Sequence, residues 1–469
     1  MRFAGRAFDV MTAGEIDLIH QGALRILGEM GMEVQNETLL RACAEVGLSV
    51  DFMLQRVRFS APLVEGFIAS APKYDWESVQ PEVSATAGVY HGLFHDPETG
   101  QLFPWDENRL AFYFALARSL SQVQGACMLG SRLPVPAPLE PLFERFYCWK
   151  FQAEEGGSIW NDDICPYLLD LYQVRAEQQG KPLQQVFRAN VYLVPPMKLG
   201  RQEAYQVAYF RRRGLQVSIG DMVAMGANVP VTLAGAVTLN LAEQLALSIL
   251  HWAFYGEKRF HLGSSLSPLD MRTLIYPFGR PESVAANLMN AQLARYYGAS
   301  YSGHGGLTSA KLPSAEAGYQ KAMTALPILL AGGNFWMDAG LLSCDEIYSP
   351  VQMILDNEFL GALAHLTKEF IVSPETLGIE TILAAGPGGG YIDKEHTARY
   401  FRDELWQPSL WSRTMLQPWL AEGRKLDVDY ARQTALDLFS QPREPHLPDS
   451  FENDLLKVIS AAQKALDSR

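Results

Sequence analysis

Short extended segments alternate with longer helical ones between residues 86 and 348, and this rhythm constrains the fold more than any other feature of the sequence. Eight candidate strands lie near residues 88–94, 125–130, 157–160, 189–194, 216–220, 259–263, 300–303 and 334–337. Strands separated by helices pair in parallel through right-handed crossovers. Eight such units closing on themselves predict an α/β fold, a (β/α)8 TIM barrel. A doubly wound open sheet is the alternative, but nothing here resembles its dinucleotide-binding fingerprint.

The segments on either side of the predicted barrel read as mostly helical. Residues 1–85 begin with a capping-box pair, Thr12 and Glu15, followed by apolar residues at helical spacing. A second short helix is expected at 37–46 and an extended piece at 56–59. Residues 349–469 are helical apart from a glycine-rich loop at 384–397. We therefore predict an N-terminal helical cap (1–85), the barrel (86–348) and a C-terminal helical extension (349–469).

Charge and cysteine usage exclude several classes of protein. The formal net charge of −13 argues against nucleic acid and anionic membrane surfaces as partners. The five cysteines contain no CxxC pair, which argues against a disulfide framework and a zinc knuckle. The apolar region 230–255 is interrupted by Asn240, Glu243 and Gln244, so it predicts a buried helix rather than a membrane span. We expect a cytoplasmic protein.

The carboxyl ends of the predicted strands collect residues suited to binding a cation. In a barrel these ends converge on one face, where active sites lie. The polar and aromatic residues found there are His91, His95, Trp160, Asn161, Asp162, Asp221, Ser264, Ser265, His304, Trp336 and Asp338. Aromatic rings and carboxylates predominate, and lysine and arginine are scarce. Such a pocket favours a small cationic ligand.

Each of these residues also has a plainer interpretation. Trp160 and Trp336 could fill the top of a barrel, and His304, between glycines, could be structural. Asp338 would be costly to bury unpaired, so it faces a wet cavity or pairs with a cation. Neither HExxH nor HxH occurs, which argues against a catalytic metal held by the chain. Cys344 has no identifiable partner base for nucleophilic chemistry.

Several stretches together resemble the trimethylamine methyltransferase family of corrinoid-dependent enzymes. They are the N-terminal EIDLIHQGALRILGEMGMEV, HDPETGQLFPW, PVTLAGAVTLNLAE, the DMR at 270–272, YSGHGGLTSAKLPSAEAGYQKA, the DNE at 356–358 and GPGGGYIDKEHTARYFRDELWQP. The resemblance covers nearly the whole chain, and the last stretch is the most specific. It implies a (β/α)8 barrel, a methylamine pocket at its top and a separate small corrinoid protein that docks there.

The sequence departs from that family at one informative place. Trimethylamine enzymes carry pyrrolysine near the end of the barrel, whereas the matching region here, 339–344, reads AGLLSC. The chain therefore resembles the branch that lacks pyrrolysine and demethylates glycine betaine and related quaternary amines. A quaternary nitrogen is already cationic and leaves as a neutral amine without a proton transfer, so position and desolvation are what the protein must supply.

The strand ends and the resemblance together give a predicted set of site residues. We expect His304 and Asp338 to be catalytic, and Trp160, Trp336, Tyr348 and His304 to bind substrate. The residues expected to face the corrinoid are Asp221, Gly386, Gly388, Gly389 and His396. As a bare pattern, GPGGG could also cradle phosphate, although it lacks the Walker lysine. We expect no metal held by the chain, and we expect the chain to form a homo-oligomer.

Two other functions remain open at this stage. The chain could be a non-catalytic sensor or binding protein for a quaternary ammonium compound on the same barrel. It could also be a barrel decarboxylase or lyase for an acidic substrate, which would require a cationic cluster at the rim. The sequence shows no such cluster.

Overall fold

The computed structural model describes residues 9–467 apart from 79–81, 90–91, 129, 131–132, 194–195, 370 and 441–446. It is a mixed α/β structure with parallel sheets. Its strands are β1 (Met32–Val34), β2 (Ser49–Asp51), β3 (Arg56–Arg58), β4 (Val83–Val89), β5 (Leu93–His95), β6 (Leu102–Phe103), β7 (Gly125–Met128), β8 (Asn190–Leu193), β9 (Lys198–Leu199), β10 (Ser218–Asp221), β11 (Ala224–Met225), β12 (His261–Ser264), β13 (Ser267–Pro268), β14 (Ser300–His304), β15 (Asn334–Asp338), β16 (Leu341–Leu342) and β17 (Ile347–Tyr348).

Helices connect these strands and continue to the end of the described chain. They are α1 (Ala13–Arg25), α2 (Glu37–Glu45), α3 (Ala61–Ser70), α4 (Glu107–Ser119), α5 (Glu140–Lys150), α6 (Cys165–Gln179), α7 (Leu183–Val186), α8 (Arg201–Arg211), α9 (Leu233–Tyr255), α10 (Pro281–Tyr297), α11 (Ala315–Leu330), α12 (Pro350–Thr367), α13 (Pro374–Leu377), α14 (Ile379–Ala385), α15 (Glu395–Glu404), α16 (Leu416–Ala421), α17 (Asp427–Phe439) and α18 (Asp449–Asp467). A π-helical turn, Ile26–Met30, extends α1, and a 3-10 turn, Ala137–Leu139, precedes α5.

The N-terminal region contains strands as well as the helices expected from its sequence. Thr12 and Glu15 form the predicted capping box at the start of α1. The strands β2, β3 and β1 form an antiparallel set, and β1 also pairs in parallel with β9 from the middle of the chain. This region is therefore joined to the middle of the chain by backbone hydrogen bonds, and not only by helix packing.

The central strands pair in parallel in an order that follows the chain. One sheet has the order β12-β14-β15-β4-β7, and a second pairs β10 with β8. The strand near 334–338 thus pairs directly with the strand near 83–89. Beyond β10 and β12, the short strands β11 and β13 pair with each other. Seven of the eight predicted strands are present, the first of them beginning five residues earlier than expected.

The remaining predicted strand, 157–160, is reduced to a single bridge between Ser158 and Asn190. A buried charged residue holds this segment instead of a full ladder. Arg145, fully buried on α5, donates to the carbonyl of Ser158 at 3.0 Å and pairs with Glu144 at 3.1 Å. Glu144 in turn accepts a hydrogen bond from the backbone N–H of Gly157 at 2.9 Å. Side chains from the preceding helix replace the missing backbone pairs.

Alternate residues of the central strands lie on two different faces. One face, here called the apolar face, packs against the helices and includes Ala85, Ala126, Val191, Leu193, Leu262, Tyr301, Phe335 and Met337. The opposite one, the polar face, carries Ser84, Thr86, Gly88, Cys127, Asn190, Tyr192, Ser218, Gly220, His261, Ser300, Ser302, His304, Asn334, Trp336 and Asp338. The polar face is not filled, since Tyr192 and Trp336 are each 38% exposed.

Helix α9 is long and apolar enough to cross a membrane by length and composition alone. In the structure it packs against α1, α2 and β12. It also buries the polar side chains Asn240 and Glu243. These contacts agree with the interpretation of α9 as a core helix.

The last helices divide into two groups. Helix α17 packs on α12, and α18 packs on α6, so both belong to the main body. Helices α13 to α16 contribute no fully buried residue, and the same holds for every described residue from 371 to 430. Residues 371–426 are called the C-terminal arm below.

Candidate active site

Two neighbouring strands place a histidine and a tryptophan side by side on the polar face. His304 ends β14 and pairs in register with Trp336 of β15. Paired residues on adjacent parallel strands share a face, and their rings stack with centroids 3.7 Å apart and planes 7° apart. The chain turns sharply after His304 because Gly306 has φ = +66°. The imidazole thus covers one face of the indole.

A carboxylate lies on the other side of the imidazole. The Nε2 atom of His304 is 3.3 Å from Oδ2 of Asp338, and its Nδ1 atom is 3.5 Å from the hydroxyl of Ser265. The Nε2 atom is buried and has no hydrogen bond among the described residues, so the contact with Asp338 is electrostatic rather than directional. Gly88, on the neighbouring strand, leaves room for this carboxylate, because a Cβ there would overlap it. The glycine is therefore needed for Asp338 to occupy this position.

Aromatic residues from the loop between β13 and α10 complete the surroundings of His304. Phe278 meets the imidazole edge-on with centroids 5.9 Å apart, and Tyr276 packs on Phe278. The phenol of Tyr276 donates to the carbonyls of Ser265 and Val223, which fixes the loop after β12. Burial raises the pKa of Tyr276 well above its usual range, and a nearby carboxyl, Asp221, contributes in the same direction.

Tyr192 of β8 reaches the same region from another strand. Burial raises the pKa of its phenol, and the charges of Glu144, Cys127 and Asp338 add to that effect. The Asp338 charge thus acts on both Tyr192 and His304. We define the candidate site as the residues that share these contacts on the polar face: Tyr192, Ser265, Tyr276, Phe278, His304, Trp336 and Asp338.

The polar face continues away from the candidate site with hydroxyl groups. His261 bonds through Nδ1 to Ser300 and through Nε2 to Ser302, each at 2.9 Å. Burial lowers the pKa of His261, so its neutral form is favoured. Ser84 donates to Gln124 at 2.8 Å. These side chains form hydrogen bonds with one another, and they make the polar face hydrophilic along its length.

The loop that matches the pyrrolysine region borders the candidate site. Ser343, Cys344 and Asp345 all have positive φ, between 54° and 74°. Cys344 accepts a hydrogen bond from the backbone N–H of Phe278 at 3.3 Å and contacts the hydroxyl of Ser309 at 3.1 Å. Three consecutive non-glycine residues in this conformation are strained, and tertiary contacts have to hold them there. Cys344 is thus a structural link to Phe278, and its hydrogen-bond contacts in the described part of the chain are with Phe278 and Ser309.

The other predicted substrate residues are placed differently from Trp336. Tyr348 is buried in an aromatic cluster with Phe94, Trp105 and Tyr113, and its hydroxyl contacts Met353. Trp160 packs over Gly130, beyond the end of β7. The structure therefore brings together His304, Trp336 and Asp338, whereas Trp160 contacts Gly130 and Tyr348 contacts the aromatic cluster.

The residues predicted to face a corrinoid occupy two separate places. Asp221 points to the apolar face, where Asn240 and Gln244 of α9 each donate to its carboxyl at 2.7 Å. Burial raises its pKa to about 6. Gly386, Gly388 and Gly389 lie in the C-terminal arm, the first two with positive φ. His396, also in the arm, packs against Tyr400 and Gly378. Asp221 is thus not part of the glycine-rich loop's surroundings, and the cofactor role of all five residues stays a prediction.

The two histidines at the end of the first predicted strand are His91 and His95. His91 lies outside the described residues, and His95 is buried with Nδ1 2.9 Å from the hydroxyl of Ser349. Among the described residues, no three His, Cys, Asp or Glu side chains are grouped as metal ligands. The candidate site consists of five aromatic rings, one serine hydroxyl group and one carboxylate.

Sequence reasoning missed three members of this site. Tyr276 and Phe278 lie in a loop beyond a strand end, in the sequence YPF, and Tyr192 lies within a strand. The signal for Tyr192 was present, since it alternates with the apolar residues Val191 and Leu193. Strand alternation, and not only strand ends, identifies residues that face the site.

Comparison with known proteins agrees with the resemblance of the sequence stretches. The profile of the trimethylamine methyltransferase (MTTB) family matches residues 3–110 and 171–466. A trimethylamine methyltransferase of Desulfitobacterium hafniense is 24% identical over 96% of this chain and 93% of its own. A glycine betaine methyltransferase of the same species is 26% identical over 97% of this chain and 96% of its own.

Solved structures give a weaker likeness. The monomethylamine methyltransferase of Methanosarcina barkeri aligns with 99% of this chain and 93% of its own, with a TM-score of 0.44 and 10% identity. The family profile spans most of the chain and includes the strands that carry His304, Trp336 and Asp338. The chain belongs to the trimethylamine methyltransferase (MTTB) family.

Proposed function

We propose that this protein is a quaternary amine:corrinoid methyltransferase, which moves a methyl group from a compound such as glycine betaine to the Co(I) of a corrinoid carried by a partner protein. The observation that carries the proposal is the stacked pair of His304 and Trp336 beside Asp338, in a family member that lacks pyrrolysine. The relatives named above support a methylamine as substrate class.

We further propose that the central strands form one (β/α)8 barrel with the polar face as its interior. The pairing of β15 with β4 supports closure, because it joins the eighth strand of the series to the first. The pairing of β11 with β13 joins the fifth and sixth strands above the point where β10 and β12 separate. Gln244 of α9 supports the same junction, since it donates to Asp221 of β10 and lies 3.5 Å from the backbone N–H of Gly263 on β12.

The candidate site suits a fixed positive charge. The exposed face of Trp336 offers cation–π attraction, worth roughly 0.5–2 kcal/mol for a desolvated ammonium. Asp338 adds charge attraction, and Tyr192 and Phe278 provide further ring surface. The imidazole of His304 lies between Asp338 and Ser265, where it can orient the carboxylate and hydrogen-bond a polar group of the substrate. These residues bind, orient and desolvate the amine.

The acceptor supplies the nucleophile of the reaction. A Co(I) corrinoid, when bound, would supply the nucleophile for the methyl carbon, and the C–N bond would break with its electron pair left on nitrogen. The product is then a neutral tertiary amine, dimethylglycine in the betaine case. No residue of the candidate site has to accept or donate a proton in this step, which agrees with a site made of aromatic rings and one carboxylate. A cytoplasmic location fits the strongly reducing conditions that Co(I) requires.

A direct comparison of substrates tests this proposal. Reduced cobalamin is mixed with the protein and either glycine betaine or trimethylamine, and methylation of the corrinoid is followed by absorbance. We expect turnover of the quaternary amine and little or none of trimethylamine. Asp338→Asn should lower kcat/KM at least tenfold, while Asp17→Asn, an exposed carboxylate on α1, should not.

Equal turnover of both amines would show that the argument from the missing pyrrolysine is wrong. Binding of the quaternary amine without any methyl transfer, with the corrinoid protein present, would instead identify a sensor.

A further inference from the structure

The layer of central strands has a seam between β10 and β12. In the described part of the chain, β10 pairs with β8 and β12 pairs with β14, and no backbone ladder joins β10 to β12. Near the carboxyl ends of the two strands, Gln244 of α9 bridges the seam, since it donates to Asp221 at 2.7 Å and lies 3.5 Å from the backbone N–H of Gly263. A side chain therefore stands where backbone pairs would otherwise close the layer.

A cavity of about 240 Å³ lies in this seam, at the level where both strands begin. It is lined by Ser218, the first residue of β10, and by His261, the first residue of β12. Both belong to the polar face. The cavity is also lined by Leu247 and Ser248 of α9, the helix that bonds Asp221 on the apolar face. Because one cavity touches residues on both sides of the strand layer, it passes through that layer.

Residues at both ends of the cavity are open to solvent. On the outer side Arg259 is exposed, in the segment that precedes β12. On the inner side Ser218 and His261 are exposed, although they lie on the face that the proposed barrel encloses. The volume is many times what a single water molecule needs. The cavity is therefore wide enough to admit a small organic molecule from outside.

The polar face continues from this cavity to the candidate site. His261 is in register with Ser300, and His304 lies four residues further along β14, about 13 Å away at roughly 3.3 Å per residue. On β12 the next residue of the polar face is Gly263, in register with Ser302. A Cβ at Gly263 would have its nearest neighbour at 3.6 Å, so the space in front of this glycine is free. Serine hydroxyls and glycines thus border a hydrophilic path towards His304.

The lining of the cavity suits transit better than storage. Of the described residues that line it, Arg259 is the one with a full charge, and Glu257 pairs with it at 2.7 Å. The imidazole of His261 is held by hydrogen bonds to Ser300 and Ser302. A path for a solute has to attract it enough for entry and bind it weakly enough for exit. A polar lining without an unpaired charge meets both conditions for a small amine, whether cationic or zwitterionic.

We propose that the seam between β10 and β12 is a side passage, through which the quaternary amine enters and the tertiary amine leaves while a corrinoid occupies the carboxyl ends of the strands. This inference rests on the proposed function. Methyl transfer brings the corrinoid against the candidate site, so it covers the direct route from the carboxyl ends of the strands. With a second route the amine and the corrinoid bind in either order, whereas with one route the amine has to bind first.

The order of binding is measurable with free reduced cobalamin and glycine betaine. In the wild type, the KM for glycine betaine should stay constant as the cobalamin concentration rises. Ser218→Phe places a ring in the inner end of the cavity, so the KM should rise roughly tenfold or more between low and saturating cobalamin. At low cobalamin its kcat/KM should stay within about twofold of the wild type. Ser218→Ala is the matched control, because it leaves the cavity open and should behave like the wild type.

A KM that rises with cobalamin in the wild type would show that both reactants share one route, and the proposal would be wrong. The same holds if Ser218→Phe keeps a constant KM. Gly263→Val guards against a folding defect at position 218, because it narrows the path from the other strand with its Cβ in ordinary van der Waals contact. It should show the same dependence on cobalamin as Ser218→Phe.

Thiol labelling tests the passage without any methyl transfer, so it separates this inference from the proposed function. Gly263→Cys is treated with trimethylammonioethyl methanethiosulfonate, a thiol reagent that carries a quaternary ammonium group, and the labelled peptide is followed by mass spectrometry. Adding Ser218→Phe should slow labelling at position 263 roughly tenfold, whereas adding Ser218→Ala should not. Equal rates in the two double variants would show that the reagent arrives from the carboxyl ends of the strands, and the side passage would be refuted even if methyl transfer occurs.

Discussion

Phe335 and Trp336 are neighbours in sequence, yet they lie in opposite environments. Phe335 is 1% exposed and packs among helices on the apolar face, whereas Trp336 is 38% exposed on the polar face. Barrel interiors are usually filled by branched aliphatic residues. The polar face instead carries serine, threonine, glycine, asparagine and histidine, so the interior of the proposed barrel would be hydrophilic. Stability is therefore expected from one face of the strands and ligand binding from the other.

The division between the faces has one exception. Asp221 belongs to the apolar face, in register with Leu193, and Glu243 of α9 is buried near it. Asn240 and Gln244 bond the carboxyl of Asp221, and the backbone N–H of Met197 bonds Glu243 at 2.6 Å. Two carboxyl groups without a cation among these contacts are costly to ionise together. The apolar face therefore tolerates them best when they are protonated.

Removing a ring from the apolar face should have the largest effect. Phe335→Ala leaves a cavity beside Gly305 and the helices, and such a change in a core costs about 3–5 kcal/mol of unfolding free energy. The neighbouring change, Trp336→Ala, should cost less than about 1 kcal/mol, because its side chain already faces water. Urea denaturation of both variants measures the difference. Equal losses would show that the polar face is packed as tightly as the apolar one.

The buried carboxyl pair should make stability depend on pH. Burial raises the pKa of Glu243 to about 8 and that of Asp221 to about 6, whereas both groups ionise near pH 4 in the unfolded chain. The folded protein thus binds more protons than the unfolded chain between about pH 4 and pH 8. These two groups contribute on the order of a few kcal/mol to the free energy of unfolding. That contribution is fully present below about pH 4 and is lost as the pH rises towards 8.

Glu243→Gln tests that contribution, because it keeps the acceptor for Met197 and removes the ionisable group. The variant should lose less stability than the wild type between pH 5 and pH 8, as measured by urea denaturation at each pH. Glu177→Gln, an exposed position on α6, serves as the control. Parallel pH profiles for wild type and Glu243→Gln would contradict the assignment.

Strand positions were largely predictable because alternation of apolar and polar residues is a local property. The structure has strands at or near seven of the eight predicted places. The third could not be predicted correctly, because Arg145 and Glu144 on the preceding helix hold residues 157–158 in place of a ladder. Long-range side-chain contacts of this kind leave no periodic signal in the segment that they hold.

Some stretches that carried the family resemblance turn out to be structural. Asp356, from the DNE stretch, pairs with Lys321 at 2.9 Å and accepts the backbone N–H of Gly340 at 2.8 Å. Glu358, from the same stretch, fastens the C-terminal arm. The core of the site was predictable, since His304, Trp336 and Asp338 lie at strand ends. Tyr276 and Phe278 were not, because their loop is placed by contacts with Val223, Ser309 and Cys344.

The smallest expected effect is on ligand affinity. It is also the most direct test of whether the polar face, and not the apolar face, binds the ligand. His304 covers one face of the Trp336 indole, so a bound ammonium has only the other face. Trp336→Ala should therefore weaken binding of glycine betaine by roughly fivefold, or about 1 kcal/mol. Trp336→Phe should keep much of the affinity, because a ring remains. Isothermal titration calorimetry without corrinoid measures both values.

Trp160→Ala serves as the comparison in the same titration, since Trp160 was predicted from sequence for the same pocket but packs over Gly130 in the structure. If only Trp336→Ala weakens binding, the polar face beside His304 is the ligand site. Equal losses in the two alanine variants would extend the pocket to the end of β7. Unchanged affinity in both variants would remove the tryptophans from the site and leave Asp338 and Tyr192 to hold the cation. The Phe335 and Trp336 variants together therefore test, on the single strand β15, whether one face provides stability and the other provides binding.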